Sequence, residues 1–213
     1  MKILIDDKIQ DYTPEQITIW MDELPQWRRE QALAYKHDAG RRQSLLAYRL
    51  LWQGLREEYG ITEPPTFVYG EHGKPYIKIK NEAAPYFSLS HCREAVACVI
   101  DKHPCGIDIE NVGRKISDSL IRYAMNEKEI KIIKQSLLPM GDSEGWGGNT
   151  LPLTGKSEGA LRTFLRLWTQ KEAVLKLLGT GIRNEMKDIL VNCPYHIDTR
   201  ETGCWVMSIA TSA

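Results

Sequence analysis

No two of the five cysteines stand at the C-x-x-C spacing of a zinc site, and no apolar run exceeds about half a dozen residues. The first absence argues against a zinc-bound fold and the second against a membrane-spanning helix. Met1 to Ile5 is followed at once by Asp6-Asp7, which breaks any signal-peptide core. With an odd cysteine count, this predicts a reduced, soluble, cytoplasmic chain. A basic excess is also missing: Lys+Arg and Asp+Glu balance at 28 each, unlike a general nucleic-acid binder. There is neither a Walker-type loop nor a G-x-G-x-x-G, so a nucleotide would not be held in the usual ways. What remains is globular: 213 residues, 42% hydrophobic and 26% charged, ample for a core.

Thr13-Pro14-Glu15-Gln16 reads as a helix start, with Thr13 as N-cap and Gln16 as its reciprocal partner. This helix runs to Leu24-Pro25. Further helices are predicted over 28–35 and 41–59, the latter ended by Gly60. Short strands follow near 66–69, 76–79, 87–90, 95–100 and 105–109. Helices over 119–134 and 160–178 and strands near 189–191, 196–199 and 205–209 complete the chain. Helices followed by meandering strands, seen twice, predict an α+β protein of two related halves, 1–104 and 105–213. Residues 137–159, rich in Gly, Pro, Ser and Asn, show no periodicity. They read as a long mobile loop, a lid or a partner surface.

Asp108 and Glu110 are two apart on a predicted strand and share a face, while Ile107 and Ile109 turn to a core. Two such carboxylates suit Mg²⁺, which keeps waters and takes one or two carboxylates with phosphate oxygens. They equally describe two surface acids on an exposed face. Glu172 carries more information. At 100° per residue it falls inside the apolar arc of Leu161, Phe164, Leu165, Trp168, Leu175 and Leu178. An acid there needs a partner or a metal. Lys176, four residues on, is the obvious ion-pair partner. Lys171 falls near the edge of the same arc.

Lys74, on a Gly73-Lys74-Pro75 turn, offers a point charge to a phosphate or is an ordinary turn lysine. Ser90-His91, at a strand end, offers hydroxyl, imidazole and backbone N–H to an anion. A lone histidine also serves as a structural hydrogen-bonder. Arg28, Arg29, Lys36, Arg41, Arg42 and Arg49 make the first half locally basic, either a solvated helix face or an anion-binding rim.

Taken in order, Gly73-Lys74-Pro75, Phe87-Ser88-Leu89-Ser90-His91, Gly106-Ile107-Asp108-Ile109-Glu110 and Trp168-Thr169-Gln170-Lys171-Glu172-Ala173-x-x-Lys176 resemble the 4′-phosphopantetheinyl transferases. The likeness is to the larger, pseudo-dimeric type that activates peptide synthetase carrier domains. It implies two similar α+β halves with the active site in the cleft between them. It also implies Mg²⁺-dependent transfer of the phosphopantetheine arm of coenzyme A to a serine of an apo acyl or peptidyl carrier protein. Carried over by motif, Asp108, Glu110 and Glu172 hold Mg²⁺, with Mn²⁺ an accepted substitute. Glu172 also helps deprotonate the carrier serine, and Lys176 neutralises the pyrophosphate. Lys74, Ser90, His91, Lys176 and Arg28 bind coenzyme A, with His91 and Arg28 near its 3′-phosphate. Position 31, often basic in this type, is Gln, and either Arg41 or Arg42 opens the next helix. A site built within one chain implies a monomer. Two other readings of the same residues are a Mg²⁺-dependent phosphohydrolase acting on coenzyme A and a non-catalytic homologue that binds coenzyme A or a carrier.

Overall fold

The computed structural model describes residues 1–78, 84–136, 158–181 and 184–212. The glycine-rich stretch singled out above lies almost wholly outside them. Strand β1 (Lys2–Asp6) precedes helices α1 (Pro14–Asp22), α2 (Gln26–Leu33) and α3 (Asp38–Tyr59). Strands β2 (Phe67–Tyr69), β3 (Pro75–Ile77), β4 (Tyr86–His91), β5 (Val96–Asp101) and β6 (Cys105–Asn111) follow. Then come helices α4 (Asp118–Ala124), α5 (Glu127–Gln135) and α6 (Glu158–Leu178), a 3₁₀ turn (Asn184–Asp188), and strands β7 (His196–Glu201) and β8 (Trp205–Thr211). The fold is mixed α/β, in keeping with the expected α+β class.

Local sequence accounts for most boundaries. Thr13 and Gln16 form the expected capping box. Gly60 ends α3 at φ 65° and Gly179 follows α6 at φ 71°, left-handed conformations that glycine adopts without a Cβ penalty. The single helix expected over 119–134 is two helices. Met125 and Asn126 are extended, and Asn126 caps α5 in a reciprocal box with Glu129. The strand expected near 189–191 is absent. That segment is a turn, with Val191 exposed and Asn192 at φ 54°.

Two three-stranded antiparallel sheets, ordered β1-β5-β4 and β6-β8-β7, lie between the two long helices. Alternation along β5 builds the layers. Val96, Cys98 and Ile100 pack with Leu51 and Leu55 of α3. Ala97 and Val99 face the other way, onto Ile107, Ile109, Met207 and Ile209 of the second sheet. That sheet's remaining face meets α6. The approach is close: a Cβ on Gly106 would lie 2.0 Å from the Ala173 carbonyl oxygen.

Both β4 and β6 are edge strands, and the two sheets meet along them. Alternate N–H groups of β6 point away from β8 and need other partners. Serines of β4 provide them: the Ile107 N–H donates to Ser88 Oγ and the Ile109 N–H to Ser90 Oγ, each at 3.2 Å. This side-chain seam brings the 87–91 and 106–110 motifs together.

Candidate active site

Asp108 sits on β6 between those two edge N–H groups, and its side chain is buried. Its Oδ1 accepts from Ser90 Oγ at 2.8 Å and from Lys176 Nζ at 2.7 Å. Lys176 also donates to Ser90 Oγ, at 2.9 Å. Ser90, Asp108 and Lys176 thus close a three-membered ring across β4, β6 and α6. The other carboxylate oxygen, Asp108 Oδ2, is buried and has no hydrogen-bond partner.

Glu172 lies one turn before Lys176 on the same helix and is 8% exposed, as its place in the apolar arc predicts. It does not pair with Lys176, whose ammonium goes to Asp108. Glu172 Oε1 is likewise buried and unpartnered. Burial, then the negative charge of Asp108, push its carboxyl up to about 7, with Lys176 opposing. Glu110 is pushed to about 7 by the same two causes in the same order, while Arg114 and Trp168 act against them. Glu110 accepts from Arg114, whose guanidinium lies 5.2 Å from the Trp168 ring centroid. Arg114 carries no periodic or motif signal, and nothing in the sequence singles it out.

Glu172 and Lys176 line a cleft of about 320 Å³ together with Lys74, Phe87 and Ser88. Lys74 is turned inward, however. Its ammonium donates to the Lys176 and Leu177 carbonyls at 2.6 and 2.9 Å, serving as a charged cap on the end of α6. Burial lowers its pKa. His91 is exposed at the end of β4, beside the ring; desolvation of its inner side and then Lys176 lower its pKa. Arg28 stands elsewhere. It donates to the Ser44 carbonyl at 2.6 Å and Ser44 Oγ at 2.8 Å, its guanidinium 5.0 Å from the Tyr48 ring centroid. It is not among the described residues lining the cleft. Arg41 pairs with Asp38, and Arg42 donates to the Ile9 carbonyl.

Lys171 is wholly buried on α6. Its ammonium donates to Glu129 at 2.7 Å and to the carbonyls of Ala124, Met186 and Lys187. Four acceptors satisfy a charge that burial alone would not tolerate. They fix α4, α5 and the 3₁₀ turn onto the helix that carries Glu172.

Among the described residues, no group of three His, Cys, Asp or Glu side chains is arranged as a metal cage. The two unpartnered oxygens are nonetheless hard anionic donors, buried beside one another's fields, and such donors suit a divalent cation that completes its shell with water and phosphate. The residues present fit Mg²⁺.

Residues 104–203 match the profile of the 4′-phosphopantetheinyl transferase superfamily. That segment, just under half of the chain, contains the Gly106–Glu110 and Trp168–Lys176 motifs, and over it the chain is similar to that superfamily. It is 30% identical over 141 residues to the 4′-phosphopantetheinyl transferase gsp of Aneurinibacillus migulanus, covering 65% of this chain and 49% of that protein. It is 27% identical over 157 residues to a 4′-phosphopantetheinyl transferase of Bacillus subtilis, covering 73% and 60%. It is 31% identical over 141 residues to the 4′-phosphopantetheinyl transferase AcpT of Salmonella typhimurium, covering 65% and 60%. The chain spans roughly half to three fifths of the length of these relatives.

Proposed function

We propose that this chain transfers the 4′-phosphopantetheine arm of coenzyme A to a serine hydroxyl of an apo carrier protein, in a Mg²⁺-dependent reaction. Adenosine 3′,5′-bisphosphate is released. One observation carries the reading: two buried carboxylate oxygens lack partners, Asp108 Oδ2, on the carboxylate that Lys176 binds, and Glu172 Oε1, on a residue that lines the cleft together with Lys176.

Phosphoryl displacement demands positioning and charge neutralisation more than covalent help. Asp108, Glu110 and Glu172 would hold Mg²⁺, which would supply neutralising charge to the diphosphate of coenzyme A. Lys176 adds a second positive charge at the cleft wall. Glu172, held near 7, takes the proton of the carrier serine directly or through a water. The serine oxygen then bonds to the pantetheine-side phosphorus as the bond to the bridging oxygen breaks. His91, exposed beside the ring, contacts the 3′-phosphate. Lys74 acts by holding the end of α6 rather than by touching phosphate, because its ammonium is already committed to two carbonyls.

The reading includes a pseudo-dimer with halves 1–104 and 105–213. Its support is the repeated pairing of one long helix with one three-stranded sheet, α3 with β1-β5-β4 and α6 with β6-β8-β7. A site made by both sheets of one chain supports action as a monomer, and five unpaired cysteines suit the cytoplasm.

The deciding experiment is the intact mass of apo acyl and peptidyl carrier proteins incubated with this chain, coenzyme A and Mg²⁺, with an EDTA control. One added phosphopantetheine arm, absent with EDTA, is the expected result. Coenzyme A cleaved with the carriers unchanged would replace transfer by hydrolysis, and no change in either would leave a binding protein.

A further inference from the structure

Strand β1 forms one outer edge of its sheet, and β4, which carries Ser88 and Ser90, forms the other. The residues of β1 pair with β5 in unbroken register, with no proline and no bulge. On its other side no strand meets β1 among the described residues, so alternate N–H and C=O groups point outward. Helix α3 lies tightly on this edge: a Cβ on Gly54 would lie 2.7 Å from Leu4 Cδ1. A groove of about 550 Å³ runs beside the strand, lined also by Leu50, Gln53 and Glu57 of α3.

The strand reads Lys2-Ile3-Leu4-Ile5-Asp6, a charge pattern that complements itself when reversed. Leu4 packs toward the α3 layer, whereas Ile3 and Ile5 pack toward the second sheet. Two copies joined at this edge keep those faces only in alternate registers, because a slip of one residue turns every side chain to the wrong layer. Of the antiparallel registers that keep them, the one centred on Leu4 sets Lys2 opposite the partner's Asp6, twice by symmetry. It also sets Ile3 opposite the partner's Ile5. A shift of two residues either way sets Leu4 against a charge, and an in-register parallel pair sets Lys2 against Lys2. Within its own chain Asp6 accepts from the Lys8 N–H at 3.1 Å and the Tyr12 hydroxyl at 2.8 Å, both neutral donors. Lys2 meets Glu57 at 3.1 Å in a solvent-exposed pair, which leaves its ammonium free to be shared.

We propose that β1 is an interface for a second copy of this chain, whose own β1 adds antiparallel across a two-fold axis at Leu4. Two three-stranded sheets become one continuous sheet, with both α3 helices on the same face. Backbone hydrogen bonds supply the attraction, and the Lys2–Asp6 pairs fix direction and register. An edge of about 17 Å buries little surface, so the dimer is weak and reversible, with a Kd on the order of 1–100 µM. The seam of β4 and β6 lies at the far edge of the sheet, so each copy keeps a complete site of its own and the pairing is independent of the proposed transfer.

The test is sedimentation equilibrium of the whole untagged chain from about 5 to about 500 µM, a range that brackets so weak a pair. A reducing buffer excludes disulfide dimers through the exposed Cys204. Lys2→Glu sets two acids opposite each other at both symmetric positions, and Asp6→Lys sets two cations there. Each variant alone should self-associate about tenfold more weakly than wild type. An equimolar mixture of the two should associate within about threefold of wild type, because each introduced charge then meets its opposite on the other chain. Recovery in the mixture cannot come from lost folding, and circular dichroism of each variant checks the fold separately. A wild type that stays monomeric to about 500 µM overturns the proposal. So does a dimer that neither variant weakens, or a mixture no tighter than either variant alone.

Discussion

Replacing Gly106 by alanine should loosen the chain and disable the site by a clash with the backbone of α6. The new Cβ would lie 2.0 Å from the Ala173 carbonyl oxygen and 2.5 Å from the Leu177 amide nitrogen. Both are backbone atoms of α6, so no side chain can swing aside. Restoring an ordinary contact requires α6 and β6 to part by about 1.4 Å. Overpacking of this kind costs about 1–3 kcal/mol, and the rigid neighbours place this case at the upper end. The same displacement separates Lys176 from Asp108, now bonded at 2.7 Å, and carries Glu172 off the seam. Misplacement by about 1 Å costs on the order of 10²-fold in rate. Urea denaturation reads the first effect, and the mass-shift assay at saturating coenzyme A reads the second. An alanine variant within about 0.5 kcal/mol of wild type and normal in transfer would refute the claim that close helix–strand approach assembles the site.

Two further outcomes follow from the buried charges. Lys171→Met should cost about 3–5 kcal/mol in chemical denaturation, because it strands Glu129 without its partner. Lys171→Met with Glu129→Leu should recover much of that loss, and a loss below about 1 kcal/mol in the single variant would refute the anchoring role. The pH dependence of the site has a definite sign. Glu172 and Glu110 titrate near 7 when folded and near 4.5 as ordinary carboxyls, so between those values the folded chain holds more protons than the unfolded one. Their contribution to stability therefore falls as pH rises through that window. Mg²⁺ should raise Tm more at pH 8 than at pH 5, and Glu172→Gln should flatten that difference. An equal Mg²⁺ effect at both values would count against these carboxylates as ligands.

The sequence was most legible where local chemistry decides structure. Thr13 and Asn126 cap helices with partners three residues on, Gly60 and Gly179 end them, and Glu172 lies on a buried arc as the period requires. It was least legible where a partner is distant in sequence. Strand β1, at Lys2–Asp6, gives only five half-buried residues flanked by charge, and exists because β5 receives it. Glu172 and Lys176 have the spacing of an ion pair, yet Asp108 takes the ammonium across 68 residues. Lys74 looks like a phosphate-facing turn lysine because its carbonyl partners are 102 and 103 residues away. Arg114 is invisible for the same reason: Glu110 is four residues back, but on a strand and turn rather than a helix, and Trp168 lies on another element. The Asn126 cap with its Glu129 partner is readable in the sequence, but the single helix expected over 119–134 runs through it instead of breaking there.

Under the proposed function, the ring of Ser90, Asp108 and Lys176 makes metal and coenzyme A binding interdependent. Without a cation, Lys176 is the principal positive charge on Asp108, and drawing it toward a diphosphate would leave a buried carboxylate uncompensated. A divalent cation held by Asp108 would compensate that carboxylate and let the ammonium share its charge with the ligand. The coupling is reciprocal, so each should tighten the other by the same factor, about 5–150-fold for a coupling of 1–3 kcal/mol. Calorimetric titration of coenzyme A with and without Mg²⁺ measures it, with a correction for Mg²⁺ bound by free coenzyme A. Lys176→Met should shrink the coupling as well as the affinity, because the charge that must be released is no longer there. If coenzyme A binds equally well with and without Mg²⁺, the ring is a fixed structural tie and Lys176 does not move between acid and phosphate.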